Sequence, residues 1–193
     1  MDVKENIKKI LNDSIAIKKE FLADTNAIDA VAGTVQEIIS CYKRGGKVLV
    51  FGNGGSAADS EHFAAELVVR FEKERRALAC IALTADIAAL TAISNDYDFN
   101  RVFSRQIEAI GKAGDLAIAI STSGKSENVI EAAKAAKAKK ISVIAITGRD
   151  GGRLKTEADI AVIVKGNNTA RIQEVQMTVI HAICKLVEDA FAE

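Results

Sequence analysis

Nothing constrains this chain more than five short apolar runs separated by segments of helical periodicity. The runs are Val48–Phe51, Ala79–Leu83, Leu116–Ile120, Ile141–Ile146 and Ile160–Val164, and none shows a polar–apolar alternation along its length. A strand that is apolar on both faces is covered on both faces, which is the signature of a parallel sheet. Between the runs, residues 56–72, 85–93, 99–112, 126–139, a short piece near 152–156 and 168–191 read as helices. Strict β-α alternation predicts a three-layer αβα architecture, a doubly wound five-stranded parallel sheet. Ligands of such sheets sit at the C-terminal ends of the strands. Two further helices, 2–22 and 25–44, precede the first strand, and Lys43-Arg-Gly-Gly46 closes the second with a glycine C-cap signal. Residues 1–45 are therefore expected to form an N-terminal helical extension that packs against other subunits. Residues 46–193 are expected to be one structural unit.

Composition narrows the partners. Lys+Arg and Asp+Glu are both 26, so no overall field recruits nucleic acid or an anionic membrane. Residues 1–20 are charged throughout, unlike a signal peptide, and no apolar run is long enough to span a bilayer. The odd set Cys41, Cys80 and Cys184 has no metal-binding spacing and reads as small buried residues in a reducing cytosol. Proline is absent and alanine abundant, which suits uninterrupted helices.

Chemistry concentrates at the ends of three strands. Gly52-Asn-Gly-Gly-Ser56 follows the first, where three glycines let the backbone turn sharply and approach a ligand, and Ser56 is placed to cap the next helix. That helix carries His62 and Glu66 four residues apart, on one face, a pair that can hold a metal or move a proton. After the third strand, Ser121-Thr-Ser-Gly-Lys-Ser126 offers four hydroxyls just before a helix, a phosphate-sized nest of neutral donors. Thr147-Gly-Arg-Asp-Gly-Gly152 is a weaker version of the same arrangement. One such turn is ordinary capping; two in one sheet point to a phosphorylated small molecule.

Two lookalikes fail. Gly52-Asn-Gly-Gly-Ser-Ala57 fits a loose dinucleotide pattern, but Leu83-Thr84 supplies no acidic residue for the ribose. Ser123-Gly-Lys-Ser126 hints at a P-loop whose leading glycine would fall on Ala119. The last helix carries the second of only two histidines, His181, with Gln173 a further ligand type upstream.

Taken together, Gly52-Asn-Gly-Gly-Ser-Ala-Ala-Asp-Ser-Glu-His-Phe-Ala-Ala-Glu66, Ser94-Asn-Asp96, Ser121-Thr-Ser-Gly-Lys-Ser126 and Thr169-Ala-Arg-Ile-Gln-Glu174 resemble the phosphoheptose isomerase branch of the sugar isomerase (SIS) family. The resemblance implies conversion of sedoheptulose 7-phosphate to D-glycero-D-manno-heptose 7-phosphate, a step towards bacterial ADP-heptose and the lipopolysaccharide core. It implies a cytoplasmic homotetramer that binds zinc. Ser121, Thr122, Ser123 and Ser126 match the family's phosphate loop, while Asn53, Gly54, Gly55 and Ser56, with Asn95, Asp96 and Gln173, match its substrate contacts. His62, Glu66, Gln173 and His181 match its metal ligands, and Glu66 and His181 its proton-transfer pair. Asp59 sits where some members use a carboxylate in ring opening. The rival within the family is a non-catalytic tetramer that binds the replication initiator, and such relatives lack the acid and histidine found here at Glu66 and His181. An isomerase of another phosphosugar is the remaining alternative.

One expectation comes from helix geometry. Gln173 and His181 lie eight residues apart, about 12 Å and roughly 80° of rotation on a continuous helix, too far for a joint bite on one zinc ion. Either that helix is irregular or the site draws on more than one subunit, and the second reading expects Glu66 and His181 to meet across an interface.

Overall fold

The computed structural model describes residues 2–192. Its strands are β1 (Val48–Gly52), β2 (Cys80–Ala82), β3 (Leu116–Ser121), β4 (Ser142–Gly148) and β5 (Ile160–Val164). They form one sheet in the order β2-β1-β3-β4-β5, and every adjacent pair is parallel. The chain goes from β1 outward to β2 and then returns past β1 to β3. This reversal opens a crevice between the C-terminal ends of β1 and β3.

Side chains of β1, β3 and β4 alternate between two cores. Val48, Val50, Ile118, Ile120, Ile144, Ile146, Val162 and Val164 face one side. There they meet α2 (Thr25–Lys43), α3 (Gly55–Val68) and α8 (Thr169–Asp189) through Ile38, Phe63, Leu67, Ile172, Ile180 and Ile183. Leu49, Phe51, Ala117, Ala119, Val143 and Ala145 face the other side, against α5 (Ser104–Ile110), α6 (Glu127–Ala138) and α7 (Leu154–Glu157). The layers are the three expected. Small residues on that second side (Ala132, Ala133 and Ala136 against Ala117 and Ala119) bring α6 close to the sheet.

Of the helices before β1, α1 (Val3–Ala23) buries Ile17 and leaves Val3, Ile7, Ile10, Leu11, Ile15 and Leu22 about half or more exposed. By contrast, α2 buries Val35, Ile38, Cys41 and Tyr42 in the same core as the strands. It ends as its glycines predict: Gly45 sits at φ 79° and the N–H of Gly46 reaches back to the Cys41 carbonyl. Met1 and Glu193, the outer ends of the two expected units, lie outside the described residues.

Three helix boundaries differ from the periodicity. The expected 56–72 helix stops at Val68, because the N–H groups of Phe71, Glu72 and Lys73 are all drawn to the Glu188 carboxylate at 2.7–2.8 Å. The expected 85–93 helix is α4 (Ile87–Asp96), its start moved by an Asp86 cap on the Ala89 N–H. The expected 99–112 helix is a 3-10 turn at Phe99–Arg101 followed by α5, with the Asp98 side chain capping the turn and Gly111 ending the helix. Ser56 is not the cap of α3. The helix begins one residue earlier, after Gly54 at φ 56°, and Ser56 is buried in its first turn with its carbonyl accepting from the Ser60 hydroxyl.

Candidate active site

The two motif loops meet at the crevice. Gly52 ends β1 where a Cβ would lie 2.7 Å from the Ser56 Cβ and 2.8 Å from the Ile120 carbonyl oxygen of β3, so only glycine lets the first loop close onto its neighbour. Asn53 then reaches across the crevice. Its amide exchanges two hydrogen bonds with Asn128 on α6, at 2.7 and 2.8 Å, and Asn128 is almost wholly buried. Gly55 opens α3 directly against the Gln173 amide.

On the other side, Ser121 is buried and its hydroxyl lies 3.2 Å from that of Ser126, while Ser123 Oγ accepts from the Lys125 N–H at 3.2 Å. Thr147 of β4 donates its hydroxyl to the Ser121 carbonyl at 2.8 Å, and Gly124, at φ 62°, rests against the Gly151 backbone. Thr122 lies half-buried between them. Ser126 stands at the N-cap of α6 without a side-chain cap bond, so the N–H groups of Glu127 and Asn128 remain open to an anion, while that of Val129 bonds the Ser126 carbonyl.

At the mouth, α3 and α8 run side by side. His62 Nε2 faces His181 Nε2 at 2.9 Å, one ring donating and the other accepting according to tautomer, and Glu66 Oε1 lies 3.5 Å from the same His62 nitrogen. The Phe71 ring closes on His181 with centroids 5.6 Å apart. One turn earlier on α3, the buried Asp59 accepts from Gln173 Nε2 through both oxygens, at 3.0 and 3.1 Å. Burial pushes the Asp59 carboxyl up from its ordinary value, against the opposing pull of the Gln173 bond and of His62.

These contacts decide several sequence expectations. α8 is a single continuous helix, which removes the irregular-helix alternative. Within a single chain, Glu66 and His181 already both lie against His62. Of the four expected zinc ligands, His62, Glu66 and His181 lie together, while Gln173 is engaged with Asp59. No group of three or more His, Cys, Asp or Glu among the described residues has the spacing of a metal site. What is present is a facing pair of imidazole nitrogens with a carboxylate beside one of them, a donor set of the kind zinc takes. Asn95 and Asp96 bond to each other at 2.8 Å near the exposed end of α4. No hydrogen bond among the described residues ties them to the crevice. Asn128, Phe71 and Glu188 were not singled out in the sequence, whereas Thr147 opens the third of the polar strand ends named there. Asn128 had a detectable signal, a buried-type polar residue in the first turn of the helix after the serine loop. Glu188 had another, a carboxylate within the apolar stripe Ile180, Ile183, Cys184 and Val187.

A doubly wound sheet with a nest of hydroxyls at its switch point and an imidazole–carboxylate cluster on the flanking helices has the make-up of a sugar-phosphate domain. The chain belongs to the SIS domain family, whose sequence profile matches residues 11–148. It is 50% identical over 191 residues to the phosphoheptose isomerase of Laribacter hongkongensis, covering 97% of this chain and 96% of that protein. Its fold matches the phosphoheptose isomerase structure from Neisseria gonorrhoeae with a TM-score of 0.90 at 42% identity, covering 97% of this chain and 99% of that one. The corresponding Francisella tularensis structure gives a TM-score of 0.93 at 37% identity, with coverage of 98% and 100%.

Proposed function

We propose that the chain is a phosphoheptose isomerase, interconverting sedoheptulose 7-phosphate and D-glycero-D-manno-heptose 7-phosphate, a step in the supply of ADP-heptose for the lipopolysaccharide core. The observation that carries this reading is the Glu66–His62–His181 cluster, a base and a proton carrier held together on the helices that flank the phosphate nest. Aldose–ketose isomerisation needs that pairing. Glu66 takes the C1 proton of the ketose as the electron pair forms the C1–C2 double bond, and His181 delivers a proton to the C2 oxygen. The enediol then gives its C1 hydroxyl proton to His181 and receives at C2 the proton held by Glu66. The serine loop, Ser121, Thr122, Ser123 and Ser126, holds the phosphate with hydroxyls and the N-terminus of α6. Asn53, Gly54, Gly55, Ser56 and Gln173, with Asn95 and Asp96, would line the sugar.

His62, His181 and Glu66 are the residues that would hold zinc, with Gln173 joining them only if it leaves Asp59. A bound zinc ion would act as a Lewis acid at the sugar oxygens. The exposed apolar row of α1 supports assembly as a homotetramer through the N-terminal helices of residues 1–45, with residues 46–193 as the sugar-binding unit. No helix among the described residues is long and apolar enough to cross a membrane, and the balanced charge favours neither membrane nor nucleic acid. A cytoplasmic location agrees with three buried free thiols.

The test is Glu66→Gln, which keeps shape and removes the base. Turnover of sedoheptulose 7-phosphate should fall by about two to four orders of magnitude in a protein that remains folded. Near-normal turnover would refute the assignment and favour a binding role.

A further inference from the structure

Behind the proton-transfer cluster lies a buried charged pair that the chemistry above leaves unused. Glu188, in the last turns of α8, is wholly buried. Its Oε1 accepts the N–H of Phe71, and its Oε2 those of Glu72 and Lys73, at 2.7–2.8 Å. Burial alone would raise its pKa, but these three donors and Arg75 outweigh that and hold it below the ordinary glutamate value. Arg75, almost as deeply buried, lies 3.9 Å from the same carboxylate and spends its guanidinium on carbonyls: Glu66 at 2.8 Å, Val69 at 3.1 Å and Arg76 at 3.0 Å.

We propose that Glu188 and Arg75 are positioning residues for proton transfer, one fixing His181 through Phe71 and the other fixing Glu66 through its backbone. The proposal rests on the reading of Glu66 and His181 given above.

Two observations distinguish this from ordinary loop fastening. A loop of this length could be closed by scattered single hydrogen bonds. Instead, three consecutive N–H groups are gathered on one carboxylate, which fixes the orientation of the segment as well as its position. Both outputs of the pair also end at the site. The first gathered residue is Phe71, whose ring packs on His181 at 42° between planes. The shortest Arg75 bond falls on the carbonyl of Glu66, one of the last-turn carbonyls of α3 that the helix itself leaves without partners. Removing one partner strands the other charge in the core, so the two act as a unit.

The experiment compares Glu188→Gln with the natural protein at equal metal content. The chain has only two histidines, so its imidazole NMR resonances can be assigned by removing either one. In folded Glu188→Gln the His181 resonances should lose their Phe71 ring-current shift. The kcat should fall about tenfold to a hundredfold with KM little changed, as when a supporting shell is loosened. Unchanged His181 resonances in the folded variant, or a loss of kcat matched by an equal loss of folded protein, overturn the proposal. Should Glu188→Gln fail to fold, Phe71→Leu keeps the gathered amides and removes the ring. A shifted His181 spectrum with reduced kcat supports the proposal, and no change in either overturns it. Full activity of His181→Ala would instead overturn the underlying reading of the site, which the resonance comparison does not depend on.

Discussion

Gly55→Ala separates what the fold needs from what the site needs. Gly55 is the first residue of α3 and is not among the residues with positive φ, so alanine suits its backbone and should stabilise it by about 0.4–1 kcal/mol. The added Cβ would lie 2.5 Å from Gln173 Nε2 and 2.8 Å from its Oε1. Ordinary carbon contacts begin near 3.5 Å, so the Gln173 amide has to retreat by about 1 Å. It now sits 3.0–3.1 Å from both oxygens of Asp59, and such a retreat breaks that bidentate contact. Hydrogen bonds to a charged group contribute about 1.5–3 kcal/mol, which leaves a net loss of about 1–2 kcal/mol after the helix gain. For a chain of this size the melting temperature should drop by roughly 2–8 °C. Activity should suffer far more, with kcat/KM for sedoheptulose 7-phosphate falling about a hundredfold, the scale of a 1 Å misplacement in a site. A coupled assay of product and a thermal melt on the same preparation read both quantities. The sharper check is a double-mutant cycle: in a Gln173→Ala background the methyl meets no amide, and Gly55→Ala should cost almost nothing more. Additive losses in that cycle, or full activity of the single variant, would refute the steric argument.

Three other outcomes follow from contacts already described. Asp115 is buried and accepts from the Lys47 ammonium, the Lys47 N–H and the Lys112 N–H; burial opposes ionisation, yet these donors hold its pKa below the ordinary value. Its stabilisation is present above the unfolded carboxylate pKa and is lost as pH falls through the lower folded value. Asp115→Asn should therefore cost about 2 kcal/mol near neutrality and much less in strong acid, and a pH-independent difference in urea titrations contradicts this. Asp59 carries the opposite sign: its raised pKa means a contribution present in acid and lost as pH rises through the folded value. Asp59→Asn should thus narrow its stability gap to the natural protein, or gain on it, as pH increases, and a widening gap argues against a strained carboxylate. Ser123→Ala removes a proposed neutral phosphate donor and should raise KM with kcat nearly intact; steady-state kinetics showing the reverse would give the loop another task.

How far the sequence foretold this molecule depended on how local each signal was. The central strands were legible because both of their faces are buried, which leaves an unbroken apolar run such as Leu116–Ile120. The loops were legible because glycine and serine at strand ends have few other reasons to cluster. Helix ends were less so: no local pattern tells that α3 stops at Val68, since the acceptor responsible, Glu188, lies more than 100 residues away in sequence. The histidine pair was placed on the right helices, but spacing along α8 says nothing of α3, whose His62 meets His181 while Asp59 takes Gln173. Contacts between helices that are remote in sequence were the missing term.

The Asn53–Asn128 pair has one more implication. It joins the loop that would line the sugar to the helix that would receive the phosphate, and it does so with two neutral amides. An ion pair in that place would titrate, would weaken in salt, and would attract or repel a phosphate arriving a few ångströms away. Amides do none of these. The strut keeps its strength whatever the pH and whether or not the ligand's two negative charges are present. Each amide also keeps one N–H beyond the shared pair. The half-buried Asn53 can therefore offer that N–H to a sugar hydroxyl without releasing its partner.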